Sequence, residues 1–181
     1  MFKNFDSQCN LRTLVAENLD ADLNCYAEHF GNALGLNTRL EGLSLKENKM
    51  NQAEYCNFWS LMMPNRSLKK INVTKTEVTD KVCIRISEYI KQPDLVLIDI
   101  NLSRNLIAAD GLIALSEALK QNTSLVSLIL AQNYIREGGI KEFVDALKVN
   151  DTIQELCLSQ NRIINEGLKA FSGFLAENST L

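Results

Sequence analysis

Asn105, Asn133 and Asn161 stand 28 residues apart, and each closes the same phrase. The phrase reads Leu97-x-x-Ile100-x-Leu102-x-x-Asn105, then Leu125-x-x-Leu128-x-Leu130-x-x-Asn133, then Ile153-x-x-Leu156-x-Leu158-x-x-Asn161. Walked backwards, the period gives degenerate copies, so that repeats start at residues 11, 40, 68, 97, 125 and 153. The second half of each unit recurs as well. An apolar residue follows the Asn by two (Ile107, Ile135, Ile163), then comes a glycine (Gly111, Gly139, Gly167). An apolar series at helical spacing completes the unit: Leu112, Leu115, Leu119; Ile140, Phe143, Leu147; Leu168, Phe171, Leu175. A period of this length means stacked supersecondary units and dictates architecture before any chemistry is read.

Each unit carries two hydrophobic periods. The alternating stretch predicts a strand of five or six residues that buries positions one, four and six. The i, i+3, i+7 series predicts a helix with one apolar stripe. Neither buries its stripe alone, so each repeat must stack on its neighbours. Strands separated by helices run parallel with right-handed crossovers. Helices (~10 Å wide) take more room than strands (~4.8 Å apart), so the stack curves with the sheet inside. The Asn amide both donates and accepts, which suits buried turn backbone.

On these motifs the chain resembles the leucine-rich repeat family, in its ribonuclease-inhibitor-like subclass with a full helix per unit. The resemblance implies an α/β fold: a right-handed β-α superhelix, or solenoid, with a parallel sheet on the concave face and helices on the convex face. It covers nearly the whole chain, with residues 1–10 a lead-in and 11–181 one domain of six repeats. The N-terminal copies depart from the pattern. Leu19 and Thr76 stand where the Asn belongs, and Ala16 replaces a leucine. Leu19 suits a capping repeat, and Thr76 weakens one rung of an asparagine ladder.

Composition excludes several classes. No apolar stretch approaches the ~20 residues of a membrane span, and Met1 to Asn10 lacks the apolar core of a signal peptide. Five cysteines without Cys-x-x-Cys spacing give no disulfide framework, so a reducing, cytoplasmic setting is expected. His29 is the lone histidine, too little for a zinc site or a Ser-His-Asp arrangement. Gly138-Gly139 opens a repeat helix and no Lys-Ser/Thr follows, so no phosphate loop forms. The expectation is no enzyme, no metal and no cofactor. The Phe58-Trp59 run is too apolar for a solvated helix. Trp59 is expected to fold over a neighbouring helix, with a convex binding patch as the alternative.

Strand positions between the leucines line the concave face in this architecture. The partner-binding residues expected there are Lys46, Lys69, Lys70, Asn72, Thr74, Lys75, Asp99, Asn101, Ser103 and Arg104 from the middle repeats. The later repeats add Ser127, Ile129, Ala131, Gln132, Glu155, Cys157 and Ser159. Residues 46 to 85 hold eight basic and four acidic side chains against a total of −3, and Lys46, Lys69, Lys70 and Lys75 form a basic cluster. Ile129 and Ala131, near Val126, form an apolar patch. An apolar anchor with a charged rim is a protein-partner surface. Nucleic acid is disfavoured by the acidic total and by the lack of aromatics at these positions. Tyr134 lies on the rim loops as a further contact aromatic.

The leading expectation is therefore a non-enzymatic protein-interaction module. The resemblance extends to inhibitors, intracellular sensors, actin-end cappers and secreted bacterial effectors. It extends also to activators of GTPases, although no catalytic residue carries over. Asn178-Ser179-Thr180-Leu181 echoes the start of another repeat, so further repeats, a cap, or pairing of copies through this open end is expected.

Overall fold

The computed structural model describes residues 10–19 and 26–177, so Cys9, Cys25 and the Asn178–Leu181 echo lie outside the described residues. Six strands alternate with six helices. They are β1 (Thr13–Val15), α1 (Ala27–Leu36), β2 (Gly42–Ser44), α2 (Gln52–Leu61), β3 (Lys70–Asn72) and α3 (Asp80–Ile90). The series continues with β4 (Asp99–Asn101), α4 (Ala109–Leu119), β5 (Ser127–Ile129), α5 (Ile140–Leu147), β6 (Glu155–Cys157) and α6 (Asn165–Glu177). The sheet is parallel throughout, in sequence order, and equivalent repeat positions pair: Thr13, Gly42, Lys70, Asp99, Ser127 and Glu155 form one row. This is the α/β leucine-rich repeat solenoid, with the sheet concave and the helices convex.

The strands are shorter than the alternation predicts, three residues each. The chain turns immediately afterwards. Asn18, Glu47, Lys75, Arg104, Gln132 and Gln160, the eighth residue of each repeat, all have φ between 46° and 61°. This left-handed geometry is uncommon outside glycine, yet it recurs at every turn. Backbone bonds span the turns and continue the ladder, as in Lys75 N–H to Ser103 O (3.0 Å) and Arg104 N–H to Ala131 O (2.8 Å).

Positions one, four and six point inward. Leu68, Ile71, Val73, Leu97, Ile100, Leu102, Leu125, Leu128 and Leu130 are buried. The helix stripes close the other side: Cys83, Ile86, Ile90, Leu112, Leu115, Leu119, Phe143 and Leu147 are buried with them. At the two ends burial fails. Leu11, Val15 and Leu19 are exposed at one end, and Leu168 and Leu175 at the other. The stripe expected on α6 is therefore corrected. Phe174 is its buried residue, and Phe171 is half-buried, because α6 packs on α5 alone among the described helices.

Trp59 is fully buried and lies among Phe58 and Tyr89, with ring centroids 6.0 and 5.7 Å away. Phe58 in turn meets Phe30 and Tyr55. The apolar run on α2 thus knits α1, α2 and α3 together and offers no convex patch. Close helix packing at this joint needs glycine. A β-carbon at Gly35 would lie 2.3 Å from the Leu61 carbonyl oxygen.

Asparagine ties the units at both turns. Asn105 Nδ2 donates to Val73 O and Leu102 O (both 2.9 Å), while its Oδ1 accepts from Thr76 and Val78 N–H (both 3.0 Å). Asn133 and Asn161 repeat the arrangement one and two units later. Thr76 breaks it as expected. Its hydroxyl donates to Val73 O (2.8 Å) and meets the Tyr55 hydroxyl (2.9 Å), and the N–H of Asn48 turns to Leu45 O instead. A second ladder stands at the helix-to-strand turns. Asn65, Asn122 and Asn150 each donate Nδ2 to carbonyls of the preceding repeat and accept from their own turn's N–H groups.

Candidate functional site

The inner face consists of positions three, five and seven, set by three-residue strands and the left-handed turns that follow. Three of the expected contact residues are not offered there. Thr74, Ser103 and Ser127 are each only 8% exposed. Thr74 is held by the Asn72 and Asn101 side chains at 2.7 and 3.1 Å, and the Ser103 N–H donates to Asn101 Oδ1 at 3.0 Å. Short side chains beside a sheet backbone sink between their longer neighbours. Asn72 and Asn101 remain half-buried and accessible on one side.

The basic cluster also changes character in three dimensions. Because equivalent positions of successive repeats are strand neighbours, a charge at one position meets the charge one period away. Lys69 Nζ lies 3.0 Å from Glu41, which also binds Arg12 at 3.0 Å. Lys75 Nζ lies 3.2 Å from Glu47, and Lys46 lies 3.7 Å from the same carboxylate. Lys49 and Glu77 pair at 2.6 Å. The Lys69 ammonium holds the Glu41 carboxyl below its usual range, and the Lys75 ammonium does the same for Glu47. Lys70 stands opposite Asp99 in the register. Lys46, Lys69 and Lys75 are thus stapled to carboxylates, whereas Lys70 makes no ion pair among the described residues. Lys69 itself precedes β3 and shares its row with Arg12 and Glu41, at the margin of the inner face.

Repeats four to six differ. Asp99 is half-buried, and burial pushes its carboxyl up; Lys70 opposes the shift and Glu155 adds to it. Ile129 pairs with Asn101 on one side and Cys157 on the other. Ile129, Ala131 and Cys157 are all half-buried, forming a small apolar strip, with Glu155 and Ser159 exposed beside it. The Cys157 thiol donates to the Ser159 hydroxyl at 3.4 Å. Val126 precedes β5 and falls outside the strip's row.

Beyond the left-handed turns runs a rim that the sequence read only in part. Arg104 and Gln132 were expected as contacts; Leu106, Arg136 and Arg162 were not. Lys75, Arg104, Leu106, Gln132, Tyr134, Gln160 and Arg162 line one concavity of about 380 Å³. Ala108, Ala109, Tyr134, Arg136 and Gly138 line a second of about 450 Å³. Tyr134 is the wall between them. The available signal was spacing: Leu106, Tyr134 and Arg162 each follow the ladder Asn, 28 residues apart. His29 is exposed on α1, and among the described residues no group of three or more metal-ligating side chains gathers. No described helix is long and apolar enough to cross a membrane.

Comparison with known proteins agrees with this geometry. A family profile described as Leucine Rich repeat matches residues 149–172. No curated protein matches the chain. Among solved structures, Leiomodin-1 Actin-Binding Site 2 is similar at TM-score 0.60 and 18% identity, covering 87% of this chain and 90% of that one. The tropomodulin C-terminal domain of Caenorhabditis elegans is similar at TM-score 0.67 and 14% identity, covering 83% and 91% respectively. At such identities the likeness is one of fold. The fold is thus that of leucine-rich repeat structures, and the repeat at residues 149–172 matches the leucine-rich repeat profile.

Proposed function

We propose that the chain is one non-enzymatic protein-interaction domain that engages a protein partner on its concave face, in a reducing, cytoplasmic setting. The observation that carries this reading is the strip Ile129, Ala131 and Cys157, open on the inner face of repeats five and six. Half-buried apolar side chains ringed by Asp99, Asn101, Glu155 and Ser159 have the anatomy of an interface core with a polar rim. The period of 28 to 29 residues with a full helix in every unit supports the ribonuclease-inhibitor-like subclass. Five cysteines, an odd count without Cys-x-x-Cys spacing, support the reducing setting.

Capture from a cytosolic extract, read by quantitative mass spectrometry, tests the face. Ile129→Lys is expected to lose the enriched protein while thermal unfolding stays unchanged. Lys141→Glu, on the exposed outer side of α5, is expected to keep it. Retention by the first variant and loss by the second would move the site to the helices. Actin is the first named partner to assay, because the similar leiomodin domain is called an actin-binding site. Co-sedimentation with filamentous actin, in the same two variants, decides that reading.

A further inference from the structure

We propose that the rim of repeats four to six is a docking shelf for an extended acidic segment of a protein partner, with an apolar side chain between its carboxylates. The proposal deepens the concave-face reading and rests on it. The first observation is charge without a counter-ion. The guanidiniums of Arg104, Arg136 and Arg162 make no hydrogen bond or ion pair among the described residues, unlike Lys46, Lys49, Lys69 and Lys75 in repeats two and three. Arg104 meets the field of Glu47 only at longer range, and that carboxylate is already bound by Lys75. Glu137, beside Arg136 in the chain, accepts from the Ile164 N–H at 2.6 Å.

The second observation is shape. Arg104 and Arg162 line the same concavity as Leu106 and Tyr134, which are 43% and 50% exposed. Arg136 stands across Tyr134 in the neighbouring concavity. Arg104 is the eighth residue of the fourth repeat and Arg162 the tenth of the sixth, so at least two strand spacings, roughly 10 Å, separate their backbones. An extended peptide advances about 3.3 Å per residue. Carboxylates about three residues apart would therefore reach both arginines and set an intervening side chain on Leu106 and Tyr134. Arginine suits this role, since its planar fork binds carboxylate in bidentate fashion. A nucleic-acid strand fits less well: the chain is acidic in total, and the shelf offers an aliphatic side chain where a polyphosphate would need further cations.

Charge reversal can be made without backbone conflict. Glu47 already occupies the repeat position of Arg104, and Glu77 that of Arg162, each with φ of 61°. The experiment pans a randomised dodecapeptide display library on the full chain at low salt and measures enriched peptides by fluorescence anisotropy. Enriched sequences are expected to hold Asp or Glu about three positions apart around Leu, Phe or Tyr. R104E/R162E is expected to weaken them about tenfold or more, and added salt to do likewise, with thermal unfolding unchanged. Peptides without paired acids, no enrichment, or binding indifferent to R104E/R162E would overturn the shelf. Peptides lost in Ile129→Lys but indifferent to R104E/R162E would overturn it while leaving the concave face intact. Tighter binding of a single-stranded RNA probe than of every acidic peptide would overturn it in favour of nucleic acid.

Discussion

Asn133 shows how one side chain is made responsible for the joint between repeats. Its Oδ1 accepts from Ile107 N–H at 3.1 Å, and its Nδ2 donates to Leu102 O and Leu130 O, both at 3.0 Å. Those two carbonyls also receive the amides of Asn105 and Asn161, so truncation would orphan chiefly the buried Ile107 N–H. An unmet buried backbone donor costs about 1–3 kcal/mol. Asn133→Ala is therefore expected to lower stability by roughly 2 kcal/mol in urea unfolding. Asn133→Asp should cost more, because it sets a carboxylate against two carbonyls. The 28-residue spacing made this ladder legible from sequence. The helix-ending turns at Asn65, Asn122 and Asn150 recur in sequence as well, but their bonds to the preceding repeat were not legible, since Asn in such a turn is also what any surface turn would contain.

Among the elements, α1 and α2 pack through glycine and aromatic side chains, whereas α6 leaves much of its outer stripe in solvent. The helical spacing announced each helix but not how near its neighbour it would lie. Gly35 and Gly173 separate these situations. At Gly35 a methyl group would meet the Leu61 carbonyl oxygen, a rigid backbone atom, whereas at Gly173 nothing lies within 4 Å. Gly35→Ala is expected to destabilise by about 1–3 kcal/mol through overpacking. Gly173→Ala is expected to stabilise by about 0.5–1 kcal/mol through helix propensity. Thermal and urea denaturation of the pair check both signs; equal effects would deny the close approach.

For the whole molecule, burial that runs unbroken through repeats two to five and fails at both outer units predicts graded stability rather than one uniform core. Hydrogen exchange is expected to protect amides of β3, β4 and β5 most strongly and those of β1 and β6 least, and even protection would contradict the nearest-neighbour picture. Sequence alone determined the unit, its length, the six-fold repetition, the inward leucines and the parallel order, because two hydrophobic periods in one unit leave stacking as the way to bury both stripes. Only the tertiary structure decided which polar side chains are free. Pairing between Lys69 and Glu41, or Lys75 and Glu47, joins residues 28 apart in sequence that become neighbours through the register. A lysine count along the chain cannot see that neutralisation. For the same reason Thr74, Ser103 and Ser127 sink out of reach, and Arg104, Arg136 and Arg162 remain as cations that no described acid pairs. Periodicity is a local property of the chain, whereas electrostatic freedom depends on what the register sets beside each charge.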